Sequence, residues 1–168
     1  MIIGIAGVSR SGKTTLADLI QKKLIMKGEM AIVLHQDDYV MPEGEIPKIR
    51  HRIDWECPQS IDFQCFRSEI IDAKKHYKHV ITEGLLNFWD ENINLLFDKK
   101  IFVKISKETF LERRNKEKRW GFEPKWFYEH VWQSHQKYGK MGLDETTIVI
   151  SGEEDFDLNF IFTRINGF

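Results

Sequence analysis

The chain has 168 residues, of which 42% are hydrophobic, and its 25 Lys and Arg nearly balance 26 Asp and Glu, giving a formal net charge of -1. Near-neutral charge argues against a protein that binds nucleic acid through a basic face. A chain of this length can bury a core of its own, and we expect residues 1–168 to form one domain.

The two cysteines, Cys57 and Cys65, are too few for a disulfide scaffold and lack the paired spacing of a zinc site. The first residues carry no basic region and lead directly into a glycine-rich turn, unlike a signal peptide. No apolar run approaches the ~20 residues that a membrane-spanning helix requires. We therefore expect a cytoplasmic protein whose partners include neither a membrane nor a nucleic acid.

Hydrophobic periodicity predicts strands and helices that alternate along the chain. Strands are predicted at residues 1–6, 30–35, 79–82, 100–106 and 147–151. Helices are predicted at residues 13–27, 61–75, 107–119 and 124–138, with a last helical stretch around residues 156–161. Residues 40–58 hold three of the four prolines and are predicted to form a long loop. This alternation is typical of an α/β domain with a mostly parallel central sheet.

One motif dominates the sequence, a match to G-x-x-x-x-G-K-[ST] directly after the first predicted strand. Its glycines allow backbone N–H groups to surround a phosphate, and the helix that follows adds its own free N–H groups and positive dipole end. The lysine is expected to reach the β- and γ-phosphates, and the threonine after it to ligate Mg²⁺. The loop predicted to bind ATP consists of Gly7, Val8, Ser9, Arg10, Ser11, Gly12, Lys13, Thr14 and Thr15.

Acidic residues follow two of the predicted strands. Asp37 and Asp38 come after strand 30–35, and Glu83 comes after strand 79–82. Ligands of open α/β sheets bind outside the carboxyl ends of the strands, and we expect both strands to flank the first one. Asp37 and Glu83 are therefore predicted to face the phosphate loop, as carboxylates that associate with Mg²⁺ and as candidates for the base that accepts a hydroxyl proton.

Residues 107–121 concentrate positive charge, with Arg113, Arg114, Lys116, Lys118 and Arg119 on one predicted helix and its end. Neighbouring glutamates would balance these charges on an ordinary solvated face. The alternative, which we favour, is a basic lid that closes over ATP and neutralises charge in the transition state. Trp120, at the end of this lid, could stack on a planar base.

Two other kinds of site are excluded by spacing. A regulatory GTPase needs D-x-x-G and N-K-x-D, but no Asp here precedes a Gly by three residues, and residues 115–118 read Asn-Lys-Glu-Lys. His130 and His135 are five residues apart, so they do not share a helix face as metal ligands would. We expect polar or packing roles for both histidines.

Five segments follow one another along the chain: G-x-x-x-S-G-K-T-T at 7–15, Q-D-D-Y at 36–39, D-W-E-C-P-Q-S-I-D at 54–62, T-E-G-L-L at 82–86 and H-V-W at 130–132. Together, in this order, they resemble the nicotinamide riboside kinases, which belong to the uridine kinase-like P-loop kinases. The resemblance implies a five-stranded parallel sheet, ATP with Mg²⁺ as phosphoryl donor, and a nucleoside 5′-hydroxyl as acceptor. It also implies an acceptor region at about 37–62.

The resemblance further implies roles for individual residues. Asp37 matches the proton acceptor, Thr14 the metal-ligating hydroxyl and Glu83 an essential glutamate. The remaining matches are contacts to substrates: Trp55 and Trp120 on the base, Glu56 on the ribose hydroxyls, Arg113 on ATP and Arg114 on ribose, with Asp38 and Tyr39 beside Asp37. Trp55 replaces the family's usual tyrosine and Glu56 its shorter aspartate, so the choice of nucleoside is open.

Nicotinamide riboside is the leading acceptor, because a cationic nicotinamide ring gains from stacking on tryptophan. Uridine, cytidine or another small metabolite on the same scaffold is the first alternative. A P-loop protein that binds nucleotide and signals without a small acceptor is the second. A nucleoside monophosphate kinase is disfavoured, because between residues 37 and 61 only Lys48, Arg50 and Arg52 could hold an acceptor phosphate. We expect a monomer or a homodimer.

Overall fold

The computed structural model describes residues 1–116 and 123–166. Its strands are β1 (Ile2–Gly7), β2 (Ala31–His35), β3 (Lys48–Ile49), β4 (Arg52–Ile53), β5 (His79–Gly84), β6 (Lys99–Lys104) and β7 (Ile148–Ser151). Its helices are α1 (Lys13–Met26), α2 (Phe63–His76), α3 (Glu91–Asn94), α4 (Lys107–Lys116), α5 (Lys125–Ser134) and α6 (Leu158–Asn166). Short 3₁₀ turns at Gln36–Asp38 and Pro58–Ser60 and a π-helical turn at His135–Gly139 complete these elements.

Five of the strands form one parallel sheet in the order β2-β5-β1-β6-β7. The predicted α/β class with a parallel sheet of five strands is therefore confirmed. The expectation that both acid-bearing strands flank β1 was wrong for β2, because β5 lies between β2 and β1. The register pairs His35 of β2 with Glu83 of β5, and Glu83 with Ile5 of β1.

Most predicted elements are confirmed, with differences where local signals are weak. The predicted loop 40–58 contains the antiparallel hairpin β3–β4, whose strands of two residues are too short to show a period. Strand β5 continues through Glu83 and Gly84, so Glu83 lies within the strand and not after it. The short helix α3 had no predicted counterpart.

The sheet is covered on both faces, and this is why its central strands are apolar. All six residues of β1 are buried. Helix α1 packs its face of Leu16, Ala17, Ile20 and Leu24 into the main apolar cluster, which also contains residues of β1, β5, β6 and α6. Helix α2 buries Phe66, Ile70 and Ala73 in a second cluster with Val80 and Ile93. Burial of this kind contributes roughly 25 cal/mol per Å² of apolar surface.

The aromatic residues after the predicted lid divide between the core and the site. Phe127 is buried, although it also borders the cavity described below, and Trp132 is partly buried in the same cluster with Val8 and Phe110. Trp126 is also partly buried there, but it lines the cavity described below. In residues 1–116 and 123–166, no helix is both long and apolar enough to cross a bilayer.

Candidate active site

The loop between β1 and α1 has the backbone geometry of an anion-binding nest. Arg10 and Gly12 both have positive φ values, 67° and 96°. Alternation of this kind turns successive N–H groups towards one point. Gly12 immediately precedes α1 and offers no side chain to cap it, so the first N–H groups of the helix stay available to a ligand. Lys13, Thr14 and Thr15 line the adjoining cavity.

Three residues of the predicted loop, Gly7, Val8 and Ser11, help to define the shape of this nest. Val8 is 1% exposed and packs in the cluster of α4 and α5. Ser11 is fully buried, and its N–H donates to the Val8 carbonyl at 3.0 Å. At Gly7 an added Cβ would lie 2.6 Å from the Ser11 Oγ and from the Val103 carbonyl, so only glycine fits. These three residues shape the loop, while the cavity is lined by Ser9, Arg10, Gly12, Lys13, Thr14 and Thr15.

Glu83 lies directly behind the start of α1. Its side chain is 5% exposed, and its Oε1 accepts a hydrogen bond from the Thr14 hydroxyl at 3.1 Å and lies 2.8 Å from His35 Nδ1. Its second oxygen, Oε2, is buried without a hydrogen-bond partner among the described residues. A buried acceptor without a donor costs free energy unless a ligand satisfies it. Glu83 therefore carries unused capacity for a cation or a donor.

These residues fit a magnesium ion that is shared with a polyphosphate. Mg²⁺ uses one or two carboxylates or hydroxyls together with phosphate oxygens and water. The Thr14 hydroxyl and the unpartnered oxygen of Glu83 could supply that donor set, and the charge of Asp37 interacts with that of Glu83. Over the ranges 1–116 and 123–166, no group of three His, Cys, Asp or Glu side chains could hold a metal by itself. A metal site here would thus depend on the nucleotide.

Asp37, in the 3₁₀ turn after β2, lines the cavity with Lys13 and Thr14 and is exposed there. Partial loss of hydration beside the protein raises the pKa of its carboxyl, while the positive charge of Lys13 opposes this and the negative charge of Glu83 reinforces it. Val40 also lines the cavity. Asp38 is exposed, and the Tyr39 ring packs on Phe66, 5.0 Å away between centroids, in the α2 cluster.

The cavity has a volume of about 1770 Å³. This exceeds the ~300–1,000 Å³ of most small-ligand pockets, so it has room for two substrates. Trp55, which is 40% exposed, and the half-buried Glu56 also line it. Desolvation raises the pKa of Glu56 to about 7, against the attraction of Arg114 and Lys13.

The two arginines of the predicted lid are held against the phosphate loop. Arg113 donates from Nη1 to the Arg10 carbonyl at 3.0 Å. Arg114 is 7% exposed, donates to Ser9 Oγ at 2.8 Å and forms a two-point pair with the Glu123 carboxylate at 2.8 and 3.0 Å. Both line the cavity, as does Lys116. The predicted contacts of Lys118, Arg119 and Trp120 fall outside the described residues.

Several cavity residues were not named from the sequence as site residues. Those within the predicted acceptor region are Val40, Glu43, His51, Ile53 and Ile61, together with Arg52, which was considered only as a possible ligand of an acceptor phosphate. Those outside it are Gln36, Leu85, Leu86, Glu123, Pro124, Trp126 and Phe127. His35, which contacts Glu83, was also missed. The only sequence signal for His35 was its place at the end of a buried strand. Glu123 pairs with a lid arginine nine residues away, a spacing that no helical pattern reveals.

Comparison with known proteins supports the same class. No family model matches the chain. The chain is 30% identical over 139 residues to the uridine kinase of Ureaplasma parvum serovar 3, a match covering 68% of this chain and 67% of that protein. It is 28% identical over 179 residues to nicotinamide riboside kinase 1 of Homo sapiens, covering 94% of this chain and 88% of that one.

Among solved structures, the deoxyadenosine kinase of M. mycoides with bound dATP has the same fold, with a TM-score of 0.57 at 18% identity over 99% of this chain and all of that one. The fold is thus that of the P-loop kinases. The chain belongs to the uridine kinase-like family of these kinases. It is an ATP-dependent kinase.

The raised pKa of Glu56 predicts a pH dependence of stability. Its native pKa of about 7 exceeds the ordinary 4.5, so the native state binds more protons than the unfolded state between these values. The unfolding free energy of the wild type, relative to Glu56→Gln, should therefore fall as pH rises from about 5 to 7 and level off above. Urea unfolding of both proteins across this range measures the difference, and parallel pH curves would contradict the assignment.

Proposed function

We propose that this kinase transfers the γ-phosphoryl group of ATP to the 5′-hydroxyl of a ribonucleoside, with nicotinamide riboside as the leading acceptor. One observation carries the proposal. A single cavity joins a phosphate loop, the carboxylate of Asp37 and a wall that contains Trp55 and Glu56. We take residues 1–168 as one kinase domain, with an acceptor region at about 37–62 and a lid at about 107–121.

The donor end binds the triphosphate through main-chain amides. The nest at Arg10 and Gly12 and the first turn of α1 present N–H groups to the β- and γ-phosphates, and Lys13 adds a full positive charge. Thr14, Glu83 and Asp37 would hold Mg²⁺, which neutralises charge on the phosphates when bound. Arg113 contacts the carbonyl of Arg10. From there its positive charge can stabilise the negative charge that develops on the transferred phosphoryl group.

The proton of the acceptor hydroxyl goes to Asp37 in this proposal. A base works best when its pKa approaches the working pH, and the pKa of Asp37 is raised. Phosphoryl transfer has a loose transition state, so the main task of the carboxylate is to orient the hydroxyl in line and take its proton as the bond to phosphorus forms. Glu83, bonded to Thr14 and His35, is better suited to the metal than to the proton.

The acceptor end recognises a base and a sugar. The exposed ring of Trp55 offers a stacking face to a planar base, worth about 1–3 kcal/mol per base in nucleic-acid complexes. Glu56 can accept hydrogen bonds from vicinal ribose hydroxyls. Arg114 already donates hydrogen bonds to Ser9 and Glu123. We therefore propose that it acts on the ribose through its positive charge, and not through the direct contact that the resemblance implied.

Two observations bear on which nucleoside is used. The similarity to human nicotinamide riboside kinase 1 runs through 94% of this chain, whereas that to the U. parvum uridine kinase covers 68%, which favours nicotinamide riboside. Against this, Arg50 lies 4.2 Å from the ring centre of Trp126 and Arg52 lies 5.2 Å from that of Phe127. Cations already occupy these two aromatic faces, which favours a neutral base such as uracil or cytosine as the second candidate.

An ADP-release assay against a panel of nucleosides tests the function. Nicotinamide riboside, uridine and cytidine are each supplied with ATP and Mg²⁺, and product mass confirms the added phosphoryl group. We expect ADP release that depends on at least one ribonucleoside and is absent in Lys13→Ala. If no nucleoside stimulates ADP release, the proposal fails and a nucleotide-binding role without a small acceptor is favoured.

Replacement of Asp37 by Asn should lower kcat by at least about a hundredfold, because the amide cannot accept the hydroxyl proton. Binding of ATP should remain within about threefold of the wild type, because the phosphate loop supplies most donor contacts. Single-turnover kinetics and ATP titration separate the two effects. Undiminished turnover would remove Asp37 from the role of base.

Replacement of Trp55 by Ala should raise the KM for the nucleoside roughly tenfold, because a stacking face is lost. The KM for ATP should change less than about twofold, since the phosphate loop supplies most contacts to the triphosphate in this proposal. Trp55→Phe, which keeps a flat ring, is the matched variant and should recover most of the affinity. Equal effects on both KM values would place Trp55 outside the acceptor pocket.

A further inference from the structure

Asp54 connects the acceptor wall to a distant helix. One oxygen of its carboxylate, Oδ1, lies 2.7 Å from Nε2 of His130 on α5 and also accepts the backbone N–H of Glu56 at 3.2 Å. The same atom therefore contacts both α5 and the main chain of a residue that lines the cavity. His130 was expected only to fill a polar or packing position, and nothing in the sequence paired it with a residue 76 positions away.

Two carbonyls at the start of the segment that follows Asp54 have hydrogen-bond partners. The Cys57 thiol donates to the carbonyl of Asp54 at 3.2 Å. The Ser60 hydroxyl lies 2.9 Å from the carbonyl oxygen of Trp55 and 2.7 Å from that of Cys57, so its one proton is shared between these two acceptors. With the Glu56 N–H held by the Asp54 side chain, the main chain of Trp55 and Glu56 has little freedom to turn. The directions of both side chains then depend on where Asp54 is held.

Three alternate residues contact helix α5. The guanidinium of Arg50 lies over Trp126, that of Arg52 over Phe127, and Asp54 bonds to His130. Arg52 and Asp54 are two apart along β4 and its continuation, where the Asp54 N–H still donates to the Pro47 carbonyl, so their side chains point to the same side. Arg50 reaches α5 from the hairpin turn, where its φ is 55°. The first two contacts are stackings that tolerate sliding. The hydrogen bond of Asp54 is directional and so defines the position of the segment along α5.

The pair lies in a partly dry environment, with 16% of the His130 side chain and 13% of the Asp54 side chain exposed. A carboxylate in such a place depends on its donors, because water replaces a lost partner only in part. Removing the imidazole should therefore shift Asp54, and with it the Glu56 amide that the same oxygen holds. An exposed pair would show no such effect.

We propose that Asp54 and His130 are positioning residues of the acceptor site, which hold Trp55 and Glu56 in the geometry that binds the nucleoside. This inference rests on the proposed function, because it assumes that Trp55 and Glu56 contact the acceptor. It assigns neither residue a contact with substrate. The rival explanation is that the pair only stabilises the fold.

The test compares variants that break the hydrogen bond with variants that keep it. His130→Leu and Asp54→Ala remove the donor or the acceptor. His130→Gln retains an N–H donor at similar reach, and Asp54→Asn retains an Oδ1 acceptor without the charge. The matched control is the other Asp–His pair described on the chain, Asp72 and His76 on α2, which is 4.0 Å apart with 58% and 69% of the side chains exposed.

We expect His130→Leu and Asp54→Ala to raise the KM for the nucleoside about tenfold, as the loss of one partly buried charge-assisted hydrogen bond does. The KM for ATP should stay within about twofold, and Asp54→Asn and His130→Gln should recover most of the loss. The double variant should lose less than the product of the two single losses, because both remove one interaction. Asp72→Ala and His76→Leu should leave kcat and both KM values unchanged.

Failure of this inference and failure of the proposed function give different results. If the wild type phosphorylates no nucleoside, the proposed function has failed and this inference fails with it. If the wild type is active and the hydrogen-bond-breaking variants change both KM values together, or change only the melting temperature, the pair is structural and the inference alone is overturned. Independent, multiplicative effects in the double variant would likewise overturn it.

Discussion

The site depends on a carboxylate that the sheet buries at its carboxyl edge. The parallel register sets Glu83 between Ile5 and His35, and this brings one oxygen to the hydroxyl of Thr14 at the start of α1. The phosphate loop, the strand beside it and the groups proposed to bind the metal are thereby held together. The other oxygen of Glu83 lacks a hydrogen-bond partner among the described residues. A bound cation could satisfy this buried acceptor.

Helices α4 and α5 connect the two ends of the cavity. The arginines of α4 bond to the backbone and hydroxyl of the phosphate loop, and the Arg114–Glu123 pair joins α4 to the residues just before α5. Helix α5 in turn contacts the proposed acceptor segment through stacking and through His130. The phosphate loop and the proposed acceptor segment thus both pack against this pair of helices. If both proposed sites are correct, the geometry of one can depend on the other through these helices.

The charged groups of the proposed acceptor region affect which base could bind there. Arginines already cover the faces of Trp126 and Phe127, which leaves Trp55 as the more open ring. Glu56, with a pKa of about 7, is partly protonated at neutral pH and can donate as well as accept a hydrogen bond. The proposed acceptor wall therefore combines the exposed ring of Trp55 with the Glu56 carboxyl, whose charge changes near neutral pH. Both features bear on the choice between a cationic and a neutral base.

The sequence by itself determined the phosphate loop, the alternation of strands and helices, and the acidic and aromatic candidates, because each is written in contiguous or periodic residues. It could not determine that β5 separates β2 from β1, since strand order follows from how helices pack across the sheet. It also missed the contacts of His35 with Glu83 and of Asp54 with His130, and the pairing of Arg114 with Glu123. These partners lie at separations with no helical or strand period, so only the packing of distant segments decides that they meet.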